Sequence, residues 1–249
     1  MIGIEEIREL LDSTDIFAKE LFESQEKMKS FLITLSKMYN ASYSNILLLK
    51  SKREDISLVA TKEKMERYNF HIKDGEEPLK IIKRIQRDNE VKFVVEDVFD
   101  ISQTDAIKKP EKRFSKEYIE TMLKGMCSRR GLVFEPNNPM ANIESIVMNI
   151  RDNSRNGYFI SYNVDRYARQ TQVEIEATTF AVAKRLNVNT RNYNFKDICK
   201  WGIDQDINTL KESLKYIQKF TNYFVKDFEI QQKLQNIENE NMKEEQELE

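Results

Sequence analysis

One histidine, two cysteines and an uneven spread of lysine and arginine bound the chemistry open to this 249-residue chain. His71 stands alone, so no HExxH zinc site, two-histidine metal centre or charge relay through a second imidazole can be assembled. Beside the Lys73-Asp74-Gly75 turn it reads as a spacer or, at most, a phosphate or base contact. Cys127 and Cys199 have no CxxC spacing and no evident thiolate-stabilising pattern. They supply no disulfide framework and fit a reducing cytoplasm. The formal net charge of −2 excludes a chain that holds nucleic acid by bulk charge. The charge is unevenly placed, however. Lys50–Lys92 carries twelve lysines and arginines against nine acids, a net +3, and Ala106–Leu132 carries eight against three, a net +5. Lys226–Glu249 has three lysines against Asp227 and seven glutamates, a net −5. This asymmetry points to a basic surface and an acidic tail, with ordinary solvated charge as the plain alternative.

The elements that must carry these groups are legible from periodicity. Ile4, Ile7, Leu10 and Leu11 predict a helix over Ile4–Glu20, and Met28, Phe31, Leu32, Leu35 and Met38 a second. Asn45–Lys50 is apolar enough for a buried helical turn, Ile56–Ala60 reads as a short strand and Lys62–Tyr68 as a short helix. Asp74-Gly75 signals a turn. Leu79–Ile85 and Val91–Phe99 alternate as strands around the polar Gln86–Glu90, a hairpin. Ser102–Ser115, with Pro110, reads as a linker. Helices are then predicted over Lys116–Cys127, Asn142–Arg151, Val164–Leu186, Phe195–Trp201 and Asp206–Phe228, with short strands at Leu132–Phe134 and Tyr158–Tyr162. Phe180, Trp201, Tyr216 and Phe220 are assigned to core. Gln231–Glu249 is either a solvated helical extension or disordered. The expected class is α+β: a small N-terminal domain of helices and antiparallel sheet over 1–105, a mostly helical domain over 106–229, and an acidic tail over 230–249. Apolar runs such as Ile46–Leu49 fall far short of the roughly 20 residues that span a bilayer, and Met1–Leu11 has no signal-peptide core. A cytoplasmic protein without a membrane partner is expected.

The order of signals at Asn45–Leu49, Val59-Ala60, His71–Glu76 and Val94–Thr104 resembles the N-terminal domain of ArdC/LtrC-like antirestriction proteins of plasmids, conjugative elements and phages. Val98-Phe99-Asp100-Ile101-Ser102-Gln103-Thr104 is the most specific block, close to that family's V-F-D-V-S-Q-T strand. Farther on, Glu174–Ala177 with Phe180–Val182, Asn192–Phe195 with Cys199–Trp201, and Leu210–Ile217 are similar to later family segments. The likeness runs from about Leu21 to Val225, leaving the tail outside.

The resemblance implies a zincin-like second domain, and there this chain departs from it. The family's HExxH helix matches Ile143–Asp152. Met148 and Asp152 stand where the two histidines would be, and Asn149 where the catalytic glutamate would be. Only Glu176 matches the third ligand. A zincin needs two imidazoles at i and i+4 converging on one metal and a carboxylate to take a proton from bound water. A thioether is a poor zinc ligand and an amide is no base. The expectation is a degenerate metalloprotease-like domain, not an enzyme, with no catalytic residue, no cofactor and no metal. Two readings of Asp152 and Glu176 stand: a hard-cation site through oxygens, or a polar remnant paired with Arg151, Arg166 or Arg169.

For the first domain the resemblance implies single-stranded DNA binding, with cations tracking phosphates and aromatics stacking bases. The positions that could serve are Lys62, Lys64, Arg67, His71, Lys73, Lys80, Lys83 and Arg84, with Tyr68 as a stacking partner. Tyr43 and Asn45 read more simply as core and as a brace for the neighbouring loop. Asp74, Glu77 and Pro78 replace the Lys, Lys and Gly usual in the family turn, which weakens a phosphate-facing loop. The leading functional expectation is a non-enzymatic ArdC-like protein of a mobile element that protects incoming DNA from host restriction or other defence. The alternative is a pseudoenzyme that grips a host defence protein through its inactive cleft.

Overall fold

The computed structural model describes residues 4–87, 90–106, 113–154 and 164–248. The fold is α+β, mostly helical, with one three-stranded antiparallel sheet in the N-terminal region. The chain forms two compact units, 1–111 with 194–215, and 112–193 with 216–249.

The first unit opens with α1 (Ile4–Glu23), α2 (Gln25–Lys37) and α3 (Tyr43–Lys52). Ser24 and Ser42 start the second and third helices by accepting from Lys27 N–H and Asn45 N–H. Their inward stripes, including Leu21, Phe22, Phe31, Leu35 and Ile46–Leu49, are buried. A distant helix, α8 (Lys196–Ile203), closes this core. Trp201 meets Phe22 edge-to-face at 5.7 Å. A Cβ on Gly202 would sit 2.4 Å from the Phe22 side chain, so only glycine permits that approach. Next come β1 (Val59–Ala60), α4 (Lys62–Arg67), β2 (Leu79–Arg87) and β3 (Glu90–Asp100), in sheet order β1-β3-β2. The predicted hairpin forms with Leu79 opposite Val98 and Arg87 opposite Glu90. Gly75 takes φ +82 at the predicted turn.

The second unit packs α5 (Lys116–Arg129), α6 (Pro139–Ser154), α7 (Val164–Arg185) and the later part of α9 (Ile207–Leu248). Its core joins Leu123, Met126, Ile146, Val147, Val182 and Phe220–Phe228 at helical spacing. Of the four aromatics assigned to core, Phe180, Trp201 and Phe220 are buried, and Tyr216 packs partly buried against this cluster. The acidic tail continues α9 as helix through Leu248.

One predicted strand does not form. Leu132–Phe134 is irregular, because Leu132 N–H is spent on Cys127 C=O at the end of α5, where Gly131 takes φ +64. Its alternation reflects Leu132 and Phe134 packing on the core while Val133 is exposed. The Tyr158–Tyr162 expectation lies outside the described residues, as do residues 107–112 of the expected linker. The linker's start is ordered by a 3-10 turn, Ile101–Gln103. No helix among the described residues is long and apolar enough to cross a membrane.

Candidate functional site

The most distinctive block of the sequence, Val98–Thr104, is a fastener. The Asp100 carboxylate is fully buried and accepts from Ser57 N–H at 2.8 Å, Leu58 N–H at 2.9 Å and Ser102 N–H at 2.9 Å. Burial alone would raise its pKa. The backbone donors outweigh that and hold the carboxyl below its usual range. Gln103 completes a capping box by accepting from Asp100 N–H, and its amide donates to Glu77 C=O and the Glu76 carboxylate. Lys73 N–H donates to Gln103 C=O, and Asp105 N–H to His71 C=O. These bonds pin β1 and the 71–77 turn to the end of β3.

That framework leaves a groove of about 840 Å³ between α4 and one face of the sheet. Thr61 caps α4 and Met65 anchors it, which turns Lys64, Arg67 and Tyr68 to the groove wall. Ile81, Lys83 and Glu96 supply the sheet side. Tyr68 is 64% exposed and stacks on Phe70 with ring centroids 6.3 Å apart. The arrangement offers cations for an anionic polymer and an aromatic face for a flat group.

The sequence-predicted cations divide by environment. Lys64, Arg67 and Lys83 meet at the groove, while Lys62 is exposed on α4 outside its lining. Lys83 pairs with Glu96 at 2.7 Å and Lys80 with Glu6 at 2.5 Å. His71 Nδ1 lies 2.8 Å from the Asp105 carboxylate, and the His71 backbone N–H and ring hold the Asp105 pKa down. Lys73 Nζ donates to Ser102 C=O at 3.0 Å. Arg84 lies opposite Phe93 on the other sheet face. Lys50, counted in the basic stretch, is buried, with its ammonium donating to Ser30 Oγ at 2.7 Å and to Glu54 C=O. Burial lowers its pKa, against the pull of Glu54 and Asp55. Asn45 is a brace, but for a strand: its amide accepts from Ile82 N–H and donates to Ile82 C=O, both at 2.9 Å.

In the second unit, Met148, Asn149 and Asp152 lie on α6 and Glu176 on α7. Met148 is 46% exposed. Asp152 is exposed and pairs with Arg151 at 3.0 Å. Asn149 Oδ1 accepts from Arg130 Nη1 at 2.7 Å and Asn153 Nδ2 at 3.1 Å. Arg130 also grips Asp227 through Nε and Nη2 at 3.1 and 3.0 Å, and Arg129 joins the same carboxylate at 3.1 Å. Asn149 therefore belongs to a polar junction of α5, α6 and α9. The Glu176 carboxylate accepts from Gln172 at 3.0 Å, and its C=O accepts from Tyr193 Oη at 2.6 Å. Burial, reinforced by Glu176 and Glu144, pushes the Tyr193 phenol well above its usual range. Both cysteines are buried, and burial raises their thiol pKa values. Among the described residues, no three His, Cys, Asp or Glu side chains gather as a metal-binding group.

Sequence reasoning did not find two features. The Arg129–Arg130–Asp227 junction joins residues about a hundred positions apart, with no local signal. A cavity of about 480 Å³ in the second unit is lined by the start of α5, the start of α6 and residues 187–189.

Together these features define an α+β protein with a groove of mixed charge (Glu63, Lys64, Arg67, Lys83 and Glu96) flanked by an aromatic ring on a small sheet, and a helical second unit. The chain is structurally similar to the antirestriction ArdC protein from the R388 plasmid. Against its Mn(II)-bound crystal structure the TM-score is 0.49 with 10% identity, and against the metal-free one 0.45 with 14% identity. Each match covers 74% of this chain and 83% of that one. No family model and no curated protein matches the chain.

Proposed function

We propose that this protein is a non-enzymatic, single-stranded-DNA-binding protein with an anti-restriction or wider anti-defence role of the ArdC kind, working in the cytoplasm of a bacterial host. One observation carries the reading: Lys64 and Arg67, which form no salt bridge among the described residues, flank the groove beside the exposed ring of Tyr68. Cations on one wall would follow phosphates and the ring would stack a base. Lys83 would contribute by exchanging its half-buried Glu96 partner for phosphate, at little cost because such surface pairs are weak, whereas Lys80 lies on the opposite sheet face with Arg84. The non-enzymatic part rests on donor chemistry. Met148 offers a thioether, and the Asn149 amide is committed to Arg130.

The test is fluorescence anisotropy with labelled oligothymidine over a salt series. Binding should weaken with a log–log slope of about −0.7 per phosphate contact. Lys64→Glu with Arg67→Glu should weaken binding at least about tenfold, and Tyr68→Ala by about 1–3 kcal/mol. No binding at low salt overturns the reading. Near-stoichiometric tightly bound zinc with chelator-sensitive peptide cleavage overturns the non-enzymatic assignment. A second reading, a host defence protein held against α6, is favoured by the exposure of Met148 and Asp152. Unchanged capture of host proteins by Met148→Lys would sink it.

A further inference from the structure

The sheet is open along one side. β2 pairs with β3 over its whole length, from Leu79↔Val98 to Arg87↔Glu90. On the other side of β3, β1 covers only Phe99 and Asp100. The direction of the remaining dipoles can be worked out. Residues in an antiparallel pair alternate between those that bond the partner strand and those whose N–H and C=O point away from it. Ile82 spends both groups on Asn45 and so points away from β3. Val95 lies directly opposite Ile82, so its own N–H and C=O point away from β2. By alternation Val91, Phe93 and Asp97 point the same way. The parity agrees with Ile101, whose N–H reaches Leu58 C=O on the β1 side at 2.9 Å. Val91, Phe93 and Val95 thus present an edge that no strand covers among the described residues.

Natural sheets blunt such edges with proline, bulges or covering elements. The outer edge of β2 is plugged at Ile82 by Asn45. Among the described residues no proline, bulge or covering element blunts the open edge of β3; charge stands along it at Lys92, Glu96 and Asp97, and its flanks differ in chemistry. On one sheet face Val91 and Phe93 are 46% and 57% exposed. On the other face lies the groove with Lys64 and Arg67. There Lys83 and Lys92 are already matched by Glu96 and Glu90.

We propose that this edge docks an extended segment of a partner protein as a further strand, with side chains alternating between acidic and apolar. The acidic residues would face Lys64 and Arg67, and the apolar ones Val91 and Phe93. A peptide fits this edge where a nucleic acid does not. The edge alternates donors and acceptors, and a peptide backbone answers both. A phosphodiester has no N–H for these outward carbonyls and would be repelled by them. The proposal stands apart from the DNA reading and shares with it only the cations of α4.

The test uses the full chain, with residue-resolved amide exchange, and blocked peptides of about nine residues, a strand's length. One alternates Val and Glu, the second Val and Lys. The Val/Glu peptide should slow exchange at Val91, Phe93 and Val95 at least about tenfold, leaving Lys92 and Val94 unchanged because they already bond β2. The Val/Lys peptide, and a Val/Glu peptide N-methylated on its edge-facing residues, should protect nothing. Phe93→Pro removes an outward N–H that β2 does not use, a position where edge strands tolerate proline, and should abolish the protection. No protection by the Val/Glu peptide at millimolar concentration overturns the proposal. So does equal protection by oligothymidine, which would assign the edge to nucleic acid.

Discussion

Replacing Asp100 with asparagine tests the fastener at the end of β3. One carboxylate oxygen accepts from Ser57 and Leu58 N–H, and the other from Ser102 N–H. An amide can keep its oxygen toward only one side. With that oxygen toward Ser57 and Leu58, the NH₂ faces Ser102 N–H; turned over, it faces two donors. Either way at least one buried N–H loses its acceptor, and the remaining bonds lose their charge assistance. A bond to a charged group contributes about 1.5–3 kcal/mol, and an orphaned buried donor costs about 1–3 kcal/mol. The expected loss for Asp100→Asn is therefore about 3–5 kcal/mol, read as a lower urea midpoint for the first unit, with faster exchange at Ser57, Leu58 and Ser102. The pH dependence has a definite sign. The folded Asp100 pKa lies below the unfolded value, so this stabilisation is present above the unfolded carboxyl pKa. It is lost as pH falls through the folded one. The gap between wild type and Asp100→Asn should close on acidification below about pH 4. A loss under about 1 kcal/mol at neutral pH, or a gap that widens in acid, refutes the account.

Asn45→Ala removes both partners of Ile82 and should cost about 1–2 kcal/mol, with exchange accelerated at the Ile82 amide and not at Ile81. Gly202→Ala drives a methyl into the Phe22 ring and should cost about 1–3 kcal/mol in chemical denaturation. Gly125→Ala meets only the amide end of the Gln231 side chain, which would have to give up its bond from Arg129, and should cost less than Gly202→Ala in the same assay.

The α+β class, the helices, the hairpin and the turn at Gly75 were legible in the sequence, because each follows from spacing within a dozen residues or from one residue's φ preference. A single histidine also excludes a two-imidazole centre built from this chain, wherever the chain goes. Leu132–Phe134 shows the limit: alternation reports which side chains face a core, whereas a strand needs a partner for its backbone. Only the tertiary structure decided which cations stay available. Lys80 met Glu6 and Lys50 was buried among helices, while Lys64 and Arg67 were left facing the groove. It also turned Asp100 and Gln103 inward, tied Asn149 to Arg130, and returned α8 to the first unit's core to pack on α1. Most of these contacts join residues from 19 to nearly two hundred positions apart. Their energies depend on burial and distance, which local sequence pattern does not encode.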